Sequence, residues 1–338
     1  MQIQSIDYAF ASHKPTVKGQ IRQQLSDFQV DEDLGFELAG EGEHVCLHIR
    51  KMGANTEWVS KQIARFAQVR NMDVSYAGMK DRHAITTQWF SVYMGNKPEP
   101  DWSQFTHEEF EVLSISRHLK KIRKGSLKSN LFALVIRDLE GNLDELEPKL
   151  NWIQQHGVPN YFGEQRFGHD NLEQAIAMLT GELKLKNKHL RGLYLSVVRS
   201  FLFNQILSER IQQANWNQAI DGDVMQLDGS HSVFMLEEVT DEIKQRLAEF
   251  DIHPTCSLVG DGKPLLKGEA SKLEQQILQP NAPLIKGLKN AGLKLAHRAT
   301  RIKVDQLEWE WQETNTLQVT FSLESGSYAT SVLRELIL

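Results

Sequence analysis

From Glu43 to Lys51 apolar and polar residues alternate (EHVCLHIRK), a period of two that predicts a strand. Val45, Leu47 and Ile49 fall on one face, and His44, Cys46 and His48 on the other. Val59, Ile63 and Phe66 then recur at helical spacing behind Thr56, which the pattern predicts as the helix cap. A short strand, Val74–Ala77, precedes GMKDRHA, and Thr86–Tyr93 follows it. Phe132–Arg137 is β-branched and aromatic-rich and predicts another strand. After Gly157 the period lengthens. Asp170 with Glu173 resembles a capping box opening a helix through Leu172, Ile176 and Leu179 to Gly181. A longer helix carries Leu195, Val198, Leu202 and Ile206, and Thr240 opens a third through Ile243, Leu247 and Phe250. Between His253 and Pro283 no period is clear. The end returns to strands, Ile302–Trp311 and Leu317–Leu323, with a short helix after Gly326. The fold class expected is α+β.

Composition narrows the classes. At 338 residues the chain predicts about two domains. With 41% hydrophobic and 24% charged residues, collagen, coiled coil and disorder are excluded. Two cysteines, Cys46 and Cys256, make neither a disulfide framework nor a thiolate zinc site. The apolar run Leu131–Ile136 is too short for a bilayer, and MQIQSIDYAF lacks the features of a signal peptide. A cytoplasmic protein is expected. Net charge is −6, but its distribution is uneven. Arg117–Asn130, Leu183–Arg199 and Leu284–Lys303 contain no Asp or Glu and hold 17 of the 38 Lys and Arg. Those runs predict either a positive face for nucleic acid or three ordinary solvated surfaces.

The densest chemistry is YAGMKDRHAITTQWF, Tyr76–Phe90. Asp81 stands between Lys80 and Arg82 on a loop leaving a strand, where two cations complement its charge and can receive phosphates. An isolated KDR triplet is more often a charged surface turn. NYFGEQRFG, Asn160–Gly168, predicts a tight loop with Glu164 and Arg166 as a buried scaffold link. KSNLF joins a basic run to a strand, and GSYATSVLRE is a turn entering a helix. His44, Cys46 and His48 diverge too much along a strand to seat a metal, so no metal is expected. P-loop, dinucleotide, H-E-x-x-H and G-x-S-x-G patterns are all absent from the sequence.

Seven blocks in order, from SDFQVDEDLGFELAGEGEH through YAGMKDRHAITTQWF, KSNLF, GVPNYFGEQRFG, FNQILSER and DGDVMQL to GSYATSVLRELI, resemble the TruD family of pseudouridine synthases. The resemblance implies a pseudouridine-synthase core with a mixed, largely antiparallel sheet in residues 1–155, an inserted family-specific α/β domain in 156–301, and a return to the core in 302–338. It implies isomerisation of uridine 13 of transfer RNA, with Asp81 as nucleophile. Phe28, Asn130, Phe132, Arg22, Lys80 and Tyr328 match substrate-side positions. Arg22 stands where the family often has Lys, and Tyr328 where it commonly has Phe. The ring of Tyr328 is expected to stack on the extruded uracil, its hydroxyl incidental. The chemistry fits the residues: isomerisation involves no net redox change, so no cofactor is expected, and a carboxylate can attack or stabilise the sugar carbon. A monomer acting on transfer RNA is the expected partner arrangement. A silent RNA-binding protein and a base-excising glycosidase are the alternatives; the second would release free uracil.

Overall fold

The computed structural model describes residues 7–168 and 170–338; the first six residues of the start expected to lack a signal peptide lie outside them. The chain divides into two compact units. The first is Thr16–Leu146, Val304–Ser327 and Ile337–Leu338; the second is Met1–Pro15, Glu147–Lys303 and Tyr328–Leu336. The divisions thus fall after Leu146 and Lys303, against sequence boundaries of 155 and 301. Residues 7–15 and the stretch Tyr328–Leu336 group with the second unit.

The first unit is built on nine strands: β1 (Lys18–Ile21), β2 (Phe28–Asp33), β3 (His44–Met52), β4 (Val74–Tyr76), β5 (Ile85–Tyr93), β6 (Phe110–His118), β7 (Ser129–Glu140), β8 (Asp305–Glu313) and β9 (Thr316–Glu324). Their order is β8-β9-β7-β2-β5-β3-β6, with β1 also on β7 and β4 also on β5. Only β2 and β5 run parallel; every other pair is antiparallel. Val45, Leu47 and Ile49 of β3 are fully buried with Val59, Ile63, Phe90 and Phe110, as the alternation predicts. The opposite face is covered too: Cys46 packs with Leu34, Ala77, Ile122 and Leu127.

Register places the chemistry. Phe28 lies opposite Leu134, Val30 opposite Phe132, and Glu32 opposite Asn130. Directly opposed residues share a face, and residues two apart on one strand share it as well. Phe28, Glu32, Asn130 and Phe132 therefore line one face of the sheet. Helix Thr56–Phe66 forms where expected, but Asn55 is its cap, accepting from the Glu57 N–H at 2.8 Å. Thr56 is buried instead, for a reason that belongs to the site.

In the second unit helix Lys188–Gln212 buries Val197, Val198, Leu202 and Ile206 along its apolar stripe. Asn187 caps it by accepting from two backbone N–H groups. Helix Asn171–Thr180 ends at Gly181 with φ +90, but Asp170 makes no side-chain capping bond. Four antiparallel strands order as Val233–Met235, Val224–Leu227, Ile252–Leu258 and Ala296–Ala299. The third of these, and helix Gly268–Leu278, occupy the stretch without an evident period. No helix among the described residues is long and apolar enough to cross a membrane.

Candidate active site

Asp81 sits on the loop that joins β4 to β5. Its Oδ1 accepts from the His83 N–H at 3.1 Å, a short local turn. Its Oδ2 accepts from Arg22 Nη2 at 2.6 Å. The pair is only half-hidden, with 23% of the Arg22 and 31% of the Asp81 side chain exposed. Arg22 follows β1 with φ +63, a backbone conformation non-glycine residues rarely adopt, which turns its side chain off the strand direction. Its guanidinium lies 4.0 Å over the Phe28 ring, and its buried Nε has no hydrogen-bond partner among the described residues. Phe28 meets Phe132 edge-on at 6.3 Å, and Phe132 stacks on Phe321 at 5.4 Å. A continuous line of touching side chains therefore runs from the Asp81 carboxylate into the sheet face.

The flanking cations do something other than expected. Lys80 Nζ donates to Glu32 Oε2 at 2.6 Å, with 6% of the lysine and none of the glutamate exposed. A buried ammonium needs such a partner, so Lys80 anchors the loop to the sheet face and its charge is turned from solvent and phosphate. Arg82 donates to the Gly53 carbonyl at 3.2 Å. The cation that meets Asp81 is Arg22, 59 positions away in sequence.

Thr56 explains the loop's second anchor. Its Oγ1 donates to Gln88 Oε1 at 2.8 Å and accepts from the Lys80 N–H at 3.1 Å, while Gln88 Nε2 donates to the Gly78 carbonyl at 3.2 Å. Beside these lies Lys51, fully buried, its Nζ donating to the Ala54 carbonyl at 3.0 Å. Burial, then the Lys80 charge, push its ammonium down to about 8, with Asp81 opposing. Asn130 stands beside Glu32 on the shared face, its buried Oδ1 without a hydrogen-bond partner among the described residues. Phe28 is 4% exposed and gives a ring face to Arg22.

Tyr328 belongs to the second unit and is 39% exposed. Its hydroxyl is not idle: Arg166 Nη2 donates to it at 3.3 Å, and Arg166 Nη1 donates to Ser196 at 3.1 Å. Glu164 is exposed, and Arg166 has no ion pair with it among the described residues, so the expected scaffold link is absent. Among the described residues no three His, Cys, Asp or Glu side chains gather to hold a metal.

The family model for tRNA pseudouridine synthase D (TruD) matches residues 6–188 and 171–336. The chain belongs to the TruD family. A tRNA pseudouridine synthase D of Methylococcus capsulatus is 44% identical over 333 residues, covering 98% of this chain and 94% of that one. That of Aeromonas hydrophila is 44% identical over 331 residues, covering 97% and 93%. A solved Methanosarcina mazei structure assigned to TruD superposes with TM-score 0.76 at 22% identity, covering 97% and 95%, and shows the shared fold. Of the TruD-matched positions, Arg22, Phe28, Lys80, Asp81, Asn130 and Phe132 all lie in the first unit, and Tyr328 in the second. Glu32, Thr56, Gln88 and Lys51 were not singled out from the sequence. Glu32 is the one polar residue on the otherwise apolar inner face of β2, the single signal available.

Proposed function

We propose that this chain isomerises uridine to pseudouridine in transfer RNA, at position 13, with Asp81 as the nucleophile. The observation that carries the reading is a carboxylate held on two sides, by Arg22 and by the His83 N–H, while about a third of it stays exposed. A fixed, reachable carboxylate suits attack on an electron-poor centre. In the reaction the N1–C1′ bond breaks, the base turns, the C5–C1′ bond forms, and C5 loses a proton as N1 gains one. Arg22 orients the carboxylate and Phe28 holds Arg22. Phe132 gives the site an aromatic floor, and Asn130 offers a buried acceptor for the uracil N–H. Lys80 fixes the loop through Glu32. Tyr328 stacks on the extruded base. The enzyme works without a cofactor, as a monomer in the cytoplasm.

The test is Asp81→Asn, which keeps size and removes charge. Release of tritium from C5 of labelled transfer RNA should vanish, while affinity stays within about tenfold. Substantial turnover by the purified variant overturns the assignment. Free uracil and abasic RNA from the wild type would make it a glycosidase.

A further inference from the structure

A cavity of about 600 Å³ opens in the first unit between the first turns of helix Thr56–Phe66, β4 and the loop after β6. Its wall carries Lys61, Lys121, Arg123 and Lys124, none of them ion-paired among the described residues, together with Tyr76 and Glu57. We propose that this cavity binds a nucleotide of single-stranded RNA that flanks the target uridine, with phosphate on the cations and base against Tyr76.

Three features carry the assignment beyond a solvated basic run. The loop is clamped: the Gly125 N–H donates to the Ala77 carbonyl at 2.7 Å and the Ile122 N–H to Ser91 Oγ at 2.9 Å. The cations are therefore presented from a fixed backbone. The Tyr76 ring is backed edge-on by Phe90 at 5.8 Å, and Lys124 Nζ lies 6.0 Å from its centroid. An aromatic face beside cations is how single strands are held, by stacking and phosphate binding together. Glu57 adds an acceptor for a base amino group, which a site for a bare anion would have no use for.

Register sets the distance. Tyr76 pairs with Phe90, five residues along β5 from Ile85, where the Asp81 loop rejoins the sheet. At about 3.3 Å per residue that is roughly 17 Å. Asp81 is not among the residues that line the cavity, and the five residues of chain from Tyr76 to Asp81, at most about 3.6 Å each, bound the span to what an RNA strand covers in a few nucleotides.

The assignment rests on transfer RNA being the substrate. The experiment uses the full chain and a transfer RNA transcript, comparing wild type with Lys121→Gln/Lys124→Gln and with Tyr76→Leu. Kd is measured across a salt series, and single-turnover rate at saturating RNA. The double variant should bind more weakly, with a salt slope lowered by about 0.7 for each phosphate that is no longer neutralised. Tyr76→Leu should weaken binding roughly fivefold to a hundredfold with its slope unchanged. Saturated rates should match the wild type in both. Tyr76 packs on Phe90, so its thermal midpoint is checked; the exposed lysines carry the test by themselves if that variant is unstable. Wild-type turnover with unchanged Kd and slope in the double variant overturns the proposal. So does GMP that binds the wild type and not the double variant while transfer RNA binding stays intact, because the cavity then serves a free nucleotide. A wild type that neither binds nor isomerises transfer RNA overturns the function above instead.

Discussion

Two of the Arg–Asp pairs in this protein are built in opposite ways. In the second unit Arg210 donates to Asp223 Oδ1 at 2.7 Å and Oδ2 at 2.9 Å, with 3% and 0% exposed. It also donates to the carbonyls of Asn215 and Gln218, and Asp223 accepts from the Ile220 N–H. Charge and hydrogen-bonding capacity are both used up, which is how a buried pair is tolerated. Arg22 and Asp81 share one hydrogen bond of 2.6 Å, stay partly exposed, leave Arg22 Nε without a hydrogen-bond partner among the described residues, and hold Arg22 at φ +63. The first arrangement ties segments together. The second keeps a carboxylate oriented yet available, and it is sustained by Phe28 and the strained turn.

The sharpest break of that comparison exchanges Asp for Asn at each pair. Asp81→Asn should abolish turnover and leave urea unfolding unchanged. Asp223→Asn should leave an unpaired buried guanidinium, costing about 3–5 kcal/mol of stability, with turnover per folded molecule intact. Equal stability losses in both variants would dissolve the distinction.

What was legible follows from the same contrast. β3 read directly from the alternation of its apolar and polar residues, although both its faces are covered. Ile252–Leu258 did not, because Pro254 interrupts it and its buried polar residues are satisfied internally. Thr255 Oγ1 donates to the Val224 carbonyl at 2.7 Å, and Glu274 accepts from the Ser257 N–H at 2.7 Å. Asp81 was legible as a motif, but its partner was not, because adjacency in sequence favours Lys80 and Arg82 whereas the fold turns both elsewhere. The acid-free runs were legible as charge and misleading as surface. Arg199 donates to the Leu258 and Lys294 carbonyls, half-buried Arg298 donates to Asn160, and Arg301 is buried and donates to His253. Lys120, Lys121 and Lys124 remain exposed.

Buried titratable groups sharpen the comparison between units through opposite signs. Burial pushes the Glu274 carboxyl up to about 7. Its proton is retained by the folded chain and released by the unfolded one, so stability falls as pH rises from about 4.5 to 7, by at most about 1.4 kcal/mol per pH unit. Lys51, pushed down to about 8, has the reverse effect. The unfolded chain holds the extra proton, so stability rises with pH between about 8 and 10.4. Urea unfolding across pH should show each slope flatten separately, the first in Glu274→Gln and the second in Lys51→Met.

Arg22 itself gives the next effect. Arg22→Met removes a charge-assisted hydrogen bond of about 1.5–3 kcal/mol, lowering kcat/KM roughly tenfold to a hundredfold without unfolding the protein. Arg22→Lys keeps the charge and should stay within about tenfold of wild type. Steady-state rates on transfer RNA decide it: a silent Arg22→Met would leave Asp81 oriented by the His83 N–H alone.

The smallest effect concerns the other unit's matched residue. The sequence expectation made the Tyr328 hydroxyl incidental and Tyr328→Phe silent. Arg166 at 3.3 Å gives that hydroxyl work, and Arg166 is itself held by Ser196. Losing one such bond is worth about 0.5–1.5 kcal/mol, so Tyr328→Phe should lower kcat/KM roughly twofold to tenfold. Tyr328→Ala removes the ring as well, adding about 1–3 kcal/mol if a base stacks on it. Because the side chain is exposed, thermal midpoints should hardly move. Arg166→Met should reproduce the Tyr328→Phe loss, and the double variant should lose no more than either, the signature of two groups acting through one hydrogen bond. Additive losses would mean that Arg166 and the hydroxyl act independently. Equal losses in Tyr328→Phe and Tyr328→Ala would remove the stacking role and leave the hydroxyl as the functional group.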